Sequence, residues 1–470
     1  MAKDRIPTSR IARTARVAGL AAGQGARQLG TRAANLTRGD RAREEALERR
    51  HLEAAEQIVT ALGTMKGAAM KMGQVLSFLD VGLVPEEYRD EFQRKLGELR
   101  DAAPKVRFSD MRKVIEAELE APLDEIFDAF DETPIAAASI GQVYRATLPD
   151  GRDVAVKVQY PGVAQAVRAD MQNLGLILRL LKQIAPGLDA RATAEEVRSR
   201  IGEELDYELE AQNQRRIGRL LRGHPFVRVP RVDTSLSTRR VLVSEYVEGE
   251  RFEEVRRADE VERDRYGEIV FRLYFGLLYR DRIALGDPHP GNYLLCPDGR
   301  VCFLDFGLLR SVDAARVAAE RAIAFAVRDG DAEVLKGALR AGGYLPASRA
   351  DAVDADFALT LMRMAIKWYA VPGERRFSPV DRRDRDRERP DPEERAAMRM
   401  QVNQFALPPE AILIRRMHGI VAVVLGQLRA GADWGAIAAE YLHGEPPATP
   451  LGQAEAEFLA QSGRTARARP

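Results

Sequence analysis

The sequence predicts an α+β fold in which a small sheet-containing lobe precedes a larger helical lobe. Segments rich in β-branched residues predict the strands of the small lobe at 142–146, 154–158, 227–232 and 241–246. Asp150 and Gly151 form a two-residue turn signal between the first two segments, which are therefore expected to pair as an antiparallel hairpin. After Gly249 the apolar residues recur with helical spacing, interrupted by short strands around residues 293–304.

Changes of composition along the chain predict five parts. They are a basic, Ala/Gly-rich leader at 1–50, a helical extension at 51–130, the small lobe at 131–248, the large lobe at 249–460 and a basic tail at 461–470. Residues 372–396 are crowded with Arg, Asp, Glu and Pro and lack periodic apolar residues, which predicts a solvated insertion in the large lobe. Long helices are predicted over 192–222 and, as part of the core, over 412–428.

The charge of the whole chain is nearly balanced, with 72 basic and 71 acidic residues, which argues against a nucleic-acid partner. The first 38 residues differ, because eight basic residues and one acidic residue give them a local charge of +7. An anionic membrane surface is a candidate partner for this leader, and a solvated tail is the alternative. The longest uncharged apolar stretch near the C-terminus, 419–428, is shorter than the about 20 residues of a membrane span. We expect a cytoplasmic protein with peripheral membrane contact and no transmembrane segment.

Lys157 is the first residue with candidate chemistry. It follows Val154-Ala155-Val156 on the second strand of the predicted hairpin. A lysine at this place in a kinase holds nucleotide phosphates, because a point cation on a rigid strand contacts them without solvent reorganisation. A lysine on the exposed face of a strand is the alternative interpretation. We assign Lys157 a catalytic and nucleotide-binding role.

Asp287 and Asn292 lie five positions apart in D-P-H-P-G-N, the spacing of a kinase catalytic loop. In such a loop the aspartate orients the proton of the acceptor hydroxyl, and the asparagine turns back to a Mg²⁺ ion that bridges the phosphates. The usual His-Arg before the aspartate is replaced by Leu285-Gly286, so activation-loop control through that arginine is not expected. We assign Asp287 as catalytic and Asn292 as a metal and nucleotide ligand.

Asp305 opens the triplet D-F-G, 13 residues beyond Asn292 and directly after a predicted strand. This distance fits a hairpin that returns a second Mg²⁺-binding carboxylate to the site. A single D-F-G is common by chance, but V-A-V-K, D-x-x-x-x-N and D-F-G in this order are not. Together they predict a protein-kinase-like, two-lobed fold that binds Mg²⁺ and ATP or ADP.

Glu210 is the predicted ion-pair partner of Lys157. It stands on the helix after the lysine strand, with Asp206 and Asn213 on its own face, whereas Glu204 and Glu208 point elsewhere. The alternative is that these acids form a solvated helical face. Further nucleotide-binding candidates lie around the first strand of the hairpin and at the end of the last strand of the small lobe: Ala136, Ala137, Ala138, Ser139, Gln142, Val143, Glu245 and Val247. Alanine in place of glycine in this phosphate loop restricts positive φ, so nucleotide selectivity or phosphate geometry is expected to differ from that of protein kinases.

Together these residues resemble the UbiB, or AarF-like, family of atypical kinases over about residues 50–345. Three features that ordinary kinases lack carry the resemblance: the loop A-A-A-S-I-G-Q, the segment E-L-D with Glu204 and Asp206, and K-M-G-Q with Lys71, Gly73 and Gln74. The resemblance implies a kinase-like fold whose N-terminal extension covers the active site, with a regulatory role for these five residues. It also implies a link to ubiquinone or other isoprenoid-lipid metabolism, with ATPase activity favoured over protein phosphorylation.

The helix that carries Lys71 has an apolar stripe formed by Ile58, Leu62, Met65, Ala69, Met72 and Leu76. Gly63, Gly67 and Gly73 weaken this helix, which suggests the close approach of another backbone or of a ligand; a solvated Lys71 is the alternative. The sequence therefore predicts an atypical kinase or ATPase with Mg²⁺ and ATP or ADP as cofactors. A quinone precursor or other isoprenoid lipid and biosynthetic enzymes are the candidate partners, and a nucleotide-gated binding module or a protein kinase are the alternatives.

Overall fold

The structure is a computed structural model that describes residues 106–138, 140–168, 202–203, 205–286, 288–377, 397–398 and 400–463. The strands are β1 Ala129–Phe130, β2 Ala136–Ala138, β3 Gly141–Thr147, β4 Asp153–Gln159, β5 Val227–Arg228, β6 Val241–Glu245, β7 Glu250–Arg251, β8 Ile283–Leu285, β9 Tyr293–Leu295, β10 Val301–Phe303, β11 Leu309–Ser311, β12 Arg375–Arg376 and β13 Gly431–Ala432. Helices with both ends in the described residues are α1 Phe108–Leu119, α2 Leu123–Ile126, α3 Tyr207–Leu220, α4 Phe252–Val255, α5 Glu260–Tyr279, α6 Ala314–Asp329, α7 Ala332–Ala341, α8 Ala355–Ala370, α9 Pro409–Leu428, α10 Trp434–Leu442 and α11 Pro450–Gln461.

The chain divides into two compact units. The first contains the described residues up to Ala211 together with Val232–Tyr246, and the second contains Gln212–Arg231 and the described residues from Val247 onward. Helix α3 thus begins in the first unit and ends in the second. The prediction placed residues 212–231 in the small lobe. The structure groups them with the helical unit instead, because β5 pairs in parallel with β10 and Ile217, Leu221 and Phe226 pack in the apolar core of that unit.

The first unit is built on a five-stranded antiparallel sheet in the order β1-β3-β4-β6, with β2 paired to β3. The predicted hairpin of β3 and β4 is present, but its connection is longer than the two residues predicted. Leu148 and Arg152 still form a backbone hydrogen bond, and Gly151 takes a φ of +81° at the last position of the three-residue loop. A left-handed final residue is typical of three-residue hairpin loops, which explains the glycine. Helix α1 covers this sheet, and the ring of Phe108 packs 5.6 Å from that of Tyr144.

The second unit is mainly helical around α5. This helix is buried on all sides from Tyr266 onward, as expected of a helix that is apolar around its whole circumference. Three small sheets lie among the described residues of this unit: one in the order β5-β10-β9-β7, one of β8 with β11 and one of β12 with β13. Helix α9 packs in the same core through Met417, Val421 and Val424, each 0% exposed. The predicted core position of this helix is confirmed.

A buried ion-pair cluster connects α5 to the C-terminal helices. Arg272 on α5 is 0% exposed and contacts Glu268 at 2.6 Å, Glu440 at 2.8 Å and Glu455 at 3.3 Å. Arg280 adds a second contact to Glu455 at 2.8 Å. Buried charges persist only when they are paired, so this cluster fixes α10 and α11 against the core.

The first six residues of the predicted charged insertion have fixed contacts. Residues 372–377 belong to the helical unit, because β12 pairs with β13 and the Arg376 guanidinium contacts Glu260 and Asp264 at 2.8 and 2.7 Å. The composition of this segment predicts solvated arginines, but Arg376 binds carboxylates that are remote in the sequence and Arg375 donates a hydrogen bond to the carbonyl of Val371 at 2.6 Å. Residues 378–396 of the predicted insertion lie outside the described residues, as do the leader and most of the helical extension.

One described helix, Glu410–Leu428, is long and apolar enough to cross a membrane by length and composition, with a mean hydropathy of 1.5 over its best window. This helix is longer than the uncharged stretch 419–428 because it also includes the residues around Arg415 and Arg416. Half of that window is buried within the protein, in agreement with a core helix.

Candidate functional site

Lys157 lies in the middle of the sheet of the first unit. Its strand is flanked on both sides, since Lys157 pairs with Val143 on β3 and with Leu242 on β6. Directly paired residues of antiparallel strands point to the same face of the sheet, so Val143 and Lys157 share one face. Pairing on both sides therefore fixes the Lys157 backbone, and its side chain extends from one face of the sheet.

The Lys157 ammonium binds the carboxylate of Glu210, the residue that the sequence predicted. Its Nζ lies 2.7 Å from Oε1 and 2.9 Å from Oε2 of Glu210. The Lys157 side chain is 20% exposed and that of Glu210 is 5% exposed, so solvent screens the pair little. Nζ also lies 4.9 Å from the ring centroid of Tyr207, within reach of a cation–π contact.

Asp206 has a local role that the sequence analysis did not assign. Its Oδ1 accepts hydrogen bonds from the backbone N–H groups of Glu208 and Leu209, at 3.1 and 3.2 Å. These bonds cap the N-terminus of α3, so the helix predicted over 192–222 is interrupted at Asp206. This cap starts the helical turn that presents Glu210 to Lys157.

The alanine segment is the first arm of a hairpin and not a loop before β3. Ala136, Ala137 and Ala138 pair with Val143, Gln142 and Gly141. A side chain at Gly141 has no room, because its Cβ would lie 2.1 Å from the carbonyl oxygen of Val158. Ser139 lies outside the described residues.

The Gln142 side chain is part of the packing under this hairpin. It is 8% exposed, its Oε1 accepts a hydrogen bond from the Tyr144 hydroxyl at 2.6 Å, and its Nε2 donates to the carbonyl of Val106 at 3.5 Å. Burial raises the pKa of Tyr144 to about 12, which keeps the hydroxyl protonated as the donor. The Gln142 side chain is therefore occupied by contacts within the sheet unit, and its nucleotide-binding role stays a prediction.

Glu245 and Val247 differ in their surroundings. Glu245 ends β6 opposite Val154 and is partly exposed. Val247, which belongs to the second unit, is buried in a small apolar cluster with Cys296 and Cys302. The hydrogen bond with Cys302 lowers the pKa of Cys296 to about 7 against the opposing effect of burial. The Val247 side chain thus packs within the protein, and only its backbone remains a candidate for contact with a nucleotide.

Asn292 and Asp305 lie at the same end of the β9–β10 hairpin in the second unit. Tyr293 pairs with Phe303, and the carbonyl of Asn292 accepts a hydrogen bond from the N–H of Leu304 at 3.0 Å. The hairpin thus reverses the chain direction, and Asp305 comes directly after Leu304, the residue that is hydrogen-bonded to Asn292. An amide oxygen and a carboxylate are ligands that Mg²⁺ prefers, so the two residues fit the predicted metal site. Within the described residues no cluster of three or more His, Cys, Asp or Glu side chains is suited to a metal, and Asp287 is outside that search.

The chain next to Asp287 explains the missing His-Arg. Gly286 extends the β8–β11 pairing by donating a hydrogen bond to the carbonyl of Leu308 at 2.7 Å. A Cβ on Gly286 would lie 2.8 Å from Leu413 Cδ1 and 2.9 Å from Leu308 Cβ. An arginine cannot occupy this position without displacing the α9 packing.

The remaining predicted residues lie outside the described residues: Lys71, Gly73, Gln74, Glu204 and Asp287. Tyr207 and Asn213 lie on α3, within the helix predicted over 192–222, and the sequence alone assigns neither residue a role. Asn213 donates a hydrogen bond from Nδ2 to the carbonyl of Phe306 at 3.0 Å. Two residues 93 positions apart give no sequence signal of contact, whereas the cap at Asp206 could have been recognised from its position before Tyr207.

Comparison with known proteins identifies the family. The family model described as the ABC1 atypical kinase-like domain matches residues 98–338. "Atypical kinase COQ8B, mitochondrial" of Danio rerio is 35% identical over 314 residues, which cover 66% of this chain and 50% of that protein. "AarF domain-containing protein kinase 1" of Xenopus laevis is 34% identical over 265 residues, which cover 55% of this chain and 50% of that protein. The chain thus spans about half the length of these two relatives.

A solved structure agrees with these matches. This structure is the complex of Rv3197 with erythromycin from Mycobacterium tuberculosis, and its chain is 30% identical to this one with a TM-score of 0.58. The similarity covers 86% of this chain and 98% of that one. The predicted resemblance to UbiB and AarF-like proteins is confirmed, as is the kinase-like α+β fold. The chain belongs to the family of ABC1 atypical kinase-like proteins.

Proposed function

We propose that this protein is an atypical kinase or ATPase that binds ATP or ADP with Mg²⁺. The observation that carries the proposal is the ion pair between Lys157 and Glu210, with distances of 2.7 and 2.9 Å to the two carboxylate oxygens. A strand lysine held by a helix glutamate is the arrangement that kinases require for phosphoryl transfer. A lysine kept for surface solubility needs no such partner.

Each residue has a proposed role that follows from its own surroundings. Lys157 contacts the nucleotide phosphates, and Glu210 keeps its ammonium at a fixed position on the sheet. Asn292 and Asp305 hold Mg²⁺, and Asp287 orients the attacking hydroxyl or water. Mg²⁺, when bound, neutralises charge on the phosphates. The backbone of the β2–β3 hairpin, from Ala136 to Val143, supplies further phosphate contacts.

The proposal is tested by ATP turnover of the purified protein. Asp287→Asn is expected to reduce hydrolysis by at least about a hundredfold, the lower range for general-base catalysis, while nucleotide binding is retained. Glu248→Gln, at a carboxylate to which we assign no role, is the matched control. Equal turnover in wild type and Asp287→Asn contradicts a catalytic role for Asp287.

We further propose that the reaction supports the synthesis of a quinone or another isoprenoid lipid, with biosynthetic enzymes as partners, in the cytoplasm at an anionic membrane surface. The family resemblance and the basic leader support this assignment. Cells that carry Asp287→Asn are compared with cells that lack the protein. If quinone intermediates are lost in both kinds of cells, catalysis is the function that the pathway requires. If their levels are normal with Asp287→Asn but fall on deletion of the protein, a nucleotide-gated binding module is favoured.

A further inference from the structure

The peptide group between Phe306 and Gly307 is held on both sides. Its N–H, from Gly307, donates a hydrogen bond to Oδ1 of Asp305 at 2.9 Å. Its carbonyl oxygen, from Phe306, accepts the bond from Nδ2 of Asn213 at 3.0 Å. The peptide group is planar and trans, so its C=O and N–H point in opposite directions. Fixing the carbonyl therefore fixes the direction of the N–H toward the Asp305 carboxylate.

Asn213 is well placed to act as this fixed point. The next residue, Gln214, is 2% exposed and donates from Nε2 to the carbonyl of Pro230 at 2.9 Å. Ile217, one turn further along α3, is 0% exposed. These anchors hold the turn of α3 that carries Asn213, and all these residues belong to the second unit together with Phe306. The amide donor is thus part of the rigid scaffold of that unit.

The burial of the Phe306 side chain does not by itself fix the orientation of the Phe306–Gly307 peptide. The Phe306 side chain is 1% exposed and packs in the large apolar core, which fixes its Cα position. A buried side chain does not prevent rotation of the peptide that follows it, because φ and ψ remain soft. Among the hydrogen bonds described for this peptide carbonyl, the one from Asn213 restricts that rotation.

We propose that Asn213 is a positioning residue for the metal ligand Asp305, acting through the Phe306–Gly307 peptide. The proposal rests on the proposed function, in which Asp305 binds Mg²⁺. The hydrogen bonds from Asn213 to the peptide and from the peptide to the carboxylate align their dipoles and polarise one another. Without the Asn213 amide the peptide rotates more freely, and the carboxylate spends less time in the orientation that binds Mg²⁺.

The test measures the Mg²⁺ dependence of nucleotide binding by calorimetry with ATP, over a range of Mg²⁺ concentrations and in chelator. Asn213→Asp keeps the shape of the side chain but replaces the donor with an acceptor, and Asn213→Ala removes it. Both variants are expected to need about three- to tenfold more Mg²⁺ for half-maximal binding, the range of one lost hydrogen bond. Binding in chelator is expected to remain at the wild-type level, and the exposed neighbour variant Gln212→Ala is the control.

The outcomes separate this inference from the function on which it rests. If wild type shows no Mg²⁺-dependent binding, the proposed function fails and the inference fails with it. If wild type is Mg²⁺-dependent, Asp305→Asn abolishes that dependence and both Asn213 variants match wild type, the positioning role alone is overturned. A lower melting temperature with an unchanged Mg²⁺ requirement assigns Asn213 a purely structural role, which also overturns it. If Asn213→Ala does not fold, the isosteric Asn213→Asp decides.

Discussion

Removal of the Lys157 ammonium is expected to destabilise the sheet unit far more than removal of a surface cation. The Glu210 side chain is 5% exposed, so Lys157→Met leaves a buried carboxylate without this partner. Breaking a buried pair from one side costs about 3–5 kcal/mol. The lost cation–π contact with Tyr207, 4.9 Å from the ammonium, adds about 0.5–1 kcal/mol.

The matched control is Lys113→Met in the same unit. Lys113 pairs with Asp110 at 3.7 Å, but the two side chains are 78% and 39% exposed. Exposed pairs contribute about 0–1 kcal/mol, so this variant is expected to cost less than about 1 kcal/mol. The double variant Lys157→Met/Glu210→Leu is expected to be more stable than Lys157→Met, because it also removes the buried charge.

The assay is native-state hydrogen exchange of the backbone amides in β3 and β4. It reports the opening free energy of this unit separately, which a single melting curve of a protein with two units does not. If Lys157→Met lowers the opening free energy no more than Lys113→Met, the ion pair is not a buried, structured element and the reasoning is refuted.

Two further substitutions test the second unit. Gly286→Ala is expected to lower the opening free energy of this unit by about 1–3 kcal/mol in hydrogen exchange of the amides of β8 and β11, because its Cβ would lie 2.8 Å from Leu413. Gly419→Ala on the exposed side of α9, with nothing within 4 Å, is expected to stabilise by up to about 1 kcal/mol; equal effects would contradict the packing argument. Although burial opposes its ionisation, His224 and two arginines lower the pKa of Glu455. Its stabilising contribution is therefore present above its unfolded pKa of about 4.3 and is lost as pH falls below that value. Glu455→Gln is expected to lower stability by about 3 kcal/mol at pH 7, with a difference from wild type that shrinks below pH 4; a pH-independent difference would be inconsistent with this assignment.

The parts of the site that depend on neighbouring residues could be predicted from the sequence. The hairpin that carries Lys157 and the hairpin between Asn292 and Asp305 both have short turns between apolar strands, so periodicity and turn residues determine them. Glu210 could be selected because helical spacing decides which acid of its segment shares a face with Asn213.

Contacts between distant segments could not be predicted in this way. In the sequence, Gly286 is only a departure from the kinase motif. The requirement for glycine becomes visible in the structure, where Leu413, 127 positions away, packs against it. The arginines at the start of the predicted insertion have the composition of a solvated loop, yet Arg376 binds Asp264 on α5. Such pairings depend on the tertiary fold, which local composition does not encode.

The central claim is that the protein binds its nucleotide through Mg²⁺ held by Asp305. The most direct measurement is a thermal-shift titration of wild type and Asp305→Asn with ATP, in Mg²⁺ and in chelator. Wild type is expected to gain stability with Mg²⁺, about 2.7 kcal/mol at a ligand concentration of 100 Kd, and to lose most of that gain in chelator or with Asp305→Asn. Equal stabilisation of wild type by ATP in Mg²⁺ and in chelator would contradict the account.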